Sequence, residues 1–103
     1  MTEFAKVTTL EELPPGSMKK FPINGTDVLL VNANGHLYGV STVCTHDGGD
    51  LADGTLQDTT ITCPLHGSMF EVTNGEVVVP PAEDSLKIFQ VKVEGNDVLV
   101  KTD

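Results

Sequence analysis

Four side chains in this sequence could do chemistry together: Cys44, His46, Cys63 and His66. They lie in two phrases, Cys44-Thr45-His46 and Cys63-Pro64-Leu65-His66, and the chain has no other cysteine and one other histidine, His36. Thiolate and imidazole at such close spacing are the ligands of zinc or of an iron–sulfur centre. Sixteen residues separate His46 from Cys63. That is room for a loop, a strand and a return, so each loop would supply one pair of ligands. Gly48, Gly49 and Gly67 follow the ligands in sequence. Glycines there let the backbone bend close to a bound group and offer N–H donors to inorganic sulfide. Pro64 would stiffen the second loop.

The residue types leave several readings open. A structural zinc site can use two Cys and two His, though commonly as C-x₂₋₄-C and H-x₃₋₅-H pairs. A Cys44–Cys63 disulfide would need an oxidising compartment. The alternation of Cys with His suits an iron–sulfur centre in which both thiolates bind one iron and both imidazoles the other. His36, beside Asn34-Gly35, is expected to be an exposed hairpin residue without a role.

The elements that must position these ligands are short and extended. Segments 4–8, 17–23, 26–33, 36–41, 61–63, 69–72, 76–79, 85–94 and 97–101 read as strands, bounded by turn dipeptides. Asn34-Gly35 is a type I′ hairpin signal, and Asn24-Gly25 and Asn74-Gly75 also turn the chain. Residues 10–13 can form at most a helical turn before Pro14-Pro15-Gly16 stops it. About nine short strands without helical periodicity predict an all-β sandwich or barrel. The Gly-rich stretch at about 43–81 reads as a cluster-binding lobe inserted between strands of the main sheet assembly.

At 103 residues, the chain reads as a single domain, residues 1–103. Hydrophobic residues make up 39% and charged ones 20%, the balance of a globular protein. The longest aliphatic run, Val28 to Val31, is far too short to span a bilayer. The N-terminus lacks a secretion-signal pattern, so a cytoplasmic location is expected, where the thiols stay reduced. Fifteen acids oppose six lysines and no arginine, a net charge of −9. No lysine falls between Phe21 and Leu86, whereas Asp27, Asp47, Asp50, Asp53, Asp58, Glu71, Glu76, Glu83 and Asp84 do. That field argues against nucleic acid or an anionic membrane as partner. It suits docking to basic patches on other proteins, and it also keeps a chain soluble.

With C-T-H-x-G-G-x-L at Cys44 to Leu51, C-P-x-H-G-x-x-F at Cys63 to Phe70, and Pro80-Pro81, the chain resembles the Rieske [2Fe–2S] ferredoxins. The resemblance implies three small antiparallel sheets and one [2Fe–2S] cluster bound by Cys44, His46, Cys63 and His66, with no catalytic residue. Respiratory members carry two further cysteines, which would fall at Gly49 and Leu65. Without them, Leu51 and Leu65 are expected to supply apolar cover. Ser68 is retained as a hydroxyl donor, but Phe70 stands where those members have Tyr. Losing a donor, among many acids, places the expected potential near the low end of the Rieske range, about −150 mV.

No G-x-G-x-x-G or second metal site is present, so the chain can neither take hydride nor activate dioxygen by itself. By resemblance it would be a carrier in a bacterial aromatic-ring-hydroxylating system; a monomer is expected because the sequence shows no strong heptad or apolar stripe. A flavin-dependent, NAD(P)H-oxidising ferredoxin reductase would supply electrons, and a terminal Rieske non-haem iron oxygenase would receive them through His46 and His66. The alternatives are the small Rieske-type subunit of an NAD(P)H nitrite reductase and a zinc-held interaction module.

Overall fold

The computed structural model describes residues 4–45, 48–65, 67–80 and 82–102. Its larger sheet is drawn by turn chemistry. β1 (Ala5–Thr9) leads through a 3₁₀ turn over Leu10–Glu12 to β2 (Met18–Ile23), β3 (Thr26–Ala33) and β4 (His36–Ser41). Asn24-Gly25 and Asn34-Gly35 join these last three, with φ of 51° and 80° in one turn and 57° and 92° in the other. Two successive left-handed residues are what a type I′ hairpin requires.

Among the described residues ten strands form, in two antiparallel sheets. The six-stranded sheet has the order β1-β10-β9-β4-β3-β2, where β9 is Ile88–Glu94 and β10 is Asp97–Lys101. Two of the three sheets expected by resemblance are fused here. β4 pairs with β9 at Gly39↔Phe89 and Val40↔Ile88, which joins the β2–β4 meander to the β1-β10-β9 ribbon. Gly39 permits this closeness, since a Cβ there would lie 3.0 Å from Val91 Cγ2. Pro22, which has no N–H to give a ladder, sits on the edge strand β2.

β3 explains the uninterrupted run Val28 to Val31. All four residues are fully buried because both faces of the strand are covered. Val28 and Leu30 pack with Leu13, Ile23, Phe89, Val98 and Val100. Leu29, Val31 and Ala33 instead floor a second core shared with the lobe.

The lobe holds β5 (Thr55–Gln57), β6 (Thr60–Thr62), β7 (Met69–Glu71) and β8 (Val77–Val79), paired in chain order. The whole sheet is threaded between β4 and β9, which are themselves neighbours. The neck is closed where Ser41 N–H donates to the Lys87 carbonyl (2.9 Å) and Lys87 N–H donates to Ser41 Oγ (3.2 Å). Two expectations change here. Thr55–Gln57 is a strand the alternation pattern did not reveal, and residues 85–87 are not part of β9. Leu86 N–H donates to the Gly75 carbonyl and Lys87 is bound at the neck, so these backbone groups serve the lobe's attachment.

Candidate metal centre

Cys44 and Cys63 open two loops of the same design. Cys44 N–H donates to the carbonyl of Gly49 (2.8 Å), and Cys63 N–H donates to that of Ser68 (2.8 Å). Each bond closes a loop that runs from a cysteine to the fifth residue after it. Gly48 and Gly67, each the fourth residue after its cysteine, have φ of +78° and +77°. A side chain would be strained at either position. Open space surrounds both, with nothing within 4 Å of the place a Cβ would occupy.

The first loop continues from β4. Val43 and Asp50 face each other in an isolated antiparallel bridge, and Leu51 N–H donates to the Thr42 carbonyl (2.7 Å). The second is the tip of the β6–β7 hairpin, whose register pairs Ile61 with Phe70 and Thr62 with Met69. Behind the loops, the two cysteines are almost fully buried and belong to one apolar core. Leu51, Ile61, Phe70 and Val72 from the lobe meet Leu29, Val31 and Val40 from the larger sheet there.

Of the four ligands read from the sequence, the structure places Cys44 and Cys63; His46 and His66 lie outside the described residues. Among the described residues no group of three or more His, Cys, Asp or Glu side chains converges. What the described residues supply is two buried cysteines in one apolar core, each followed by a left-handed glycine. Soft donors, dry surroundings and unobstructed backbone above them fit a sulfur-bridged iron cluster.

Ser68 and Phe70 are fully buried. Ser68 Oγ accepts the N–H of Ala82 (3.0 Å), which ties the segment after Pro81 to the second loop and leaves the hydroxyl proton to donate. Phe70 fills the lobe core beside Ile61. Leu51 supplies apolar cover as expected, but Leu65 does not. It is 59% exposed at the loop tip, and Val43, at the root of the other loop, is 53% exposed. An exposed leucine at a loop tip packs against no core, so it cannot seal the site from beneath.

Asp50 is the residue whose role the sequence concealed. One carboxylate oxygen accepts from Thr42 Oγ1 (2.6 Å) and Ala52 N–H (3.0 Å), capping the 3₁₀ turn Leu51–Asp53. The other accepts from Lys20 Nζ (2.5 Å), which reaches across from β2. Lys20 and Thr42 hold the Asp50 carboxyl below the ordinary range, against a smaller opposing effect of burial. The same hydrogen bond and charge raise Lys20. The lobe is therefore not purely acidic in its surroundings, because a lysine from outside it neutralises one of its acids. An Asp directly before a short turn is a capping signal that could have flagged this residue. Thr45 Oγ1 adds a second anchor by donating to the Asp84 carbonyl (2.6 Å).

Residues 3–90 match the Rieske [2Fe–2S] domain. The chain belongs to that family. Its Rieske fold carries one [2Fe–2S] cluster as cofactor. The ferredoxin component of the naphthalene 1,2-dioxygenase/salicylate 5-hydroxylase systems of Ralstonia sp. is 32% identical over 92 residues, 89% of this chain and 88% of that one. The ferredoxin of carbazole 1,9a-dioxygenase from Nocardioides aromaticivorans IC177 superposes with a TM-score of 0.90 at 30% identity, covering 94% of this chain and 95% of that one. A ferredoxin solved in complex with the oxygenase of carbazole 1,9a-dioxygenase also superposes with a TM-score of 0.90, at 28% identity over 95% of this chain and 92% of its own. These Rieske relatives are matched nearly end to end. No helix of the described residues is long and apolar enough to cross a membrane.

Proposed function

We propose that this Rieske protein is a one-electron carrier and not itself a catalyst. It takes electrons from an NAD(P)H-dependent flavin reductase and delivers them to a terminal Rieske non-haem iron oxygenase acting on an aromatic compound. Cys44 and Cys63 hold one iron, and His46 and His66 the other. When bound, the cluster supplies a single-electron couple. The residues around it exclude water below, through Leu51, Phe70 and the β3 floor, and leave the loop tips open to a partner. The observation that carries this reading is the pair of matched loops, in a fold that aligns nearly end to end with ferredoxin components of dioxygenase systems. The chain acts as one domain, 1–103, with its cluster-binding lobe at about residues 43–81, as a monomer in the cytoplasm.

Exposed Leu65, at the tip of the second loop, is the apolar part of the docking surface, and exposed Glu83 and Asp84, whose carbonyl binds Thr45 of the first loop, are the charged part. An apolar contact ringed by acids suits a partner face with basic residues around a depression. The test is reconstitution of the purified red-brown protein with such a reductase and oxygenase. Turnover should require this chain, and Glu83→Lys with Asp84→Lys should slow electron delivery several-fold at low salt, the difference shrinking as salt rises. A colourless protein, or turnover indifferent to its presence, would falsify the reading.

A further inference from the structure

We infer that the Lys20–Asp50 pair is a positioning and charge-setting device for the first ligand loop. Asp50 stands where three structures meet. Its backbone faces Val43 across the loop neck. Its carboxylate binds Thr42 on the incoming leg and Ala52 N–H on the outgoing leg. The remaining oxygen binds Lys20, which is on the edge strand of the other sheet. A loop that must present Cys44 and His46 together is thus fixed at both ends and fastened to the larger sheet by one side chain.

The pair also sets charge. Residues 44–84 contain eight acids and no lysine, so Lys20 brings a positive charge into an otherwise negative surrounding. Asp27 and Asp53 are the other carboxylates that act on its ammonium. Both partners are about one-third exposed in their side chains. The bond is therefore weak as a source of stability, and its main effect is on where the loop and its charges sit. Adding an electron to the site raises its negative charge, so Lys20 favours the reduced form and Asp50 opposes it.

The inference rests on the cluster assignment above. Its test is a cycle of Lys20→Met, Asp50→Asn and the double variant, with Lys20→Arg as the conservative control. Asparagine keeps an acceptor for Thr42 and Ala52. At a fixed potential near the wild-type midpoint, Lys20→Met should lower the reduced-to-oxidised ratio about twofold, the order expected of one water-screened unit charge. Asp50→Asn should raise it similarly. The double variant should return close to wild type, and Lys20→Arg should not move it. Asp50→Ala, which removes the acceptor as well, should also speed cluster loss in chelator by about tenfold and broaden the reduced-state EPR signal. Coloured single variants with wild-type midpoints and wild-type cluster retention would overturn this inference alone. A wild-type protein without a cluster would overturn the assignment beneath it.

Discussion

In the six-stranded sheet every strand has five to eight residues, whereas each of the four lobe strands has three. The charge divides as unevenly. Residues 44–84 hold eight acids and no lysine, while the rest of the chain sets seven acids against all six lysines, so the lobe accounts for −8 of the net −9. The larger sheet is stabilised by burial on both faces of β3. Three-residue strands under mutual repulsion bury too little to do the same. The lobe depends instead on individually placed features: the two cysteine loop closures, the Ser41–Lys87 neck, Thr45 on Asp84, and Lys20 on Asp50. Bound metal belongs to that class of feature, since its ligands are brought together only by folding.

The contrast is tested most severely by removing a ligand. Cys63→Ala should abolish the visible absorption and the iron content altogether. Amide exchange should then accelerate through β5–β8 while β3, β4, β9 and β10 keep most of their protection. Uniform loss of protection across both sheets would show that the lobe and the sheet unfold as one.

Next in size is Gly54→Ala. A Cβ at this position would lie 2.0 Å from the Thr62 carbonyl oxygen, a backbone atom that cannot turn away. Separating β5 from β6 to make room should cost about 3 kcal/mol and weaken cluster retention. Gly48→Ala meets no atom, so its penalty is limited to the left-handed backbone, about 1 kcal/mol. Urea midpoints of the two variants measure the difference. An equal loss in both would mean the packing at Gly54 relaxes freely.

Adjacent residues of β3 give a finer comparison. Leu29 faces the core that contains both cysteines, and Leu30 faces the core of the larger sheet. Either change to Ala should cost about 3 kcal/mol of stability. Only Leu29→Ala should hasten loss of the cluster, because only that cavity opens beneath the thiols. Chelator-trapped iron release, measured beside the urea midpoint, separates the two effects.

These regions were not equally legible in the sequence. Hairpins whose turns need two left-handed residues announce themselves, which is why Asn24-Gly25 and Asn34-Gly35 located β2 to β4. The ligand phrases located the lobe for a similar reason, since few other arrangements use Cys and His in that alternation. Thr55–Gln57 gave no such signal. It is a strand only because β6 pairs with it, and three residues with one apolar member, Leu56, are too few to show an alternation. Leu65 looked like cover because leucine is apolar, but exposure is decided by what surrounds a residue, and a loop tip surrounds it with water. Asp50 looked like one more surface acid because its partner is thirty residues away in the chain. Non-local contacts of single side chains leave no periodic trace.

The smallest expected effect concerns Glu71, at the end of β7. Burial pushes its carboxyl upward, but hydrogen bonds from Thr73 and Thr59 together outweigh that and hold it below the ordinary value. A carboxyl with a depressed folded pKa contributes stability that is present above the unfolded value of about 4.3 and is lost as pH falls through the lower folded value. Glu71→Gln should therefore be less stable than wild type at pH 7, by no more than about 1 kcal/mol because the group is partly exposed. The gap should close as pH falls through that lower folded value, where the wild-type carboxylate is itself protonated. Urea midpoints of both proteins at pH 7 and pH 3 measure this. A gap that persists unchanged at pH 3 would assign the loss to packing around the side chain rather than to its charge. In that case the lobe's dependence on placed polar contacts would exclude Glu71.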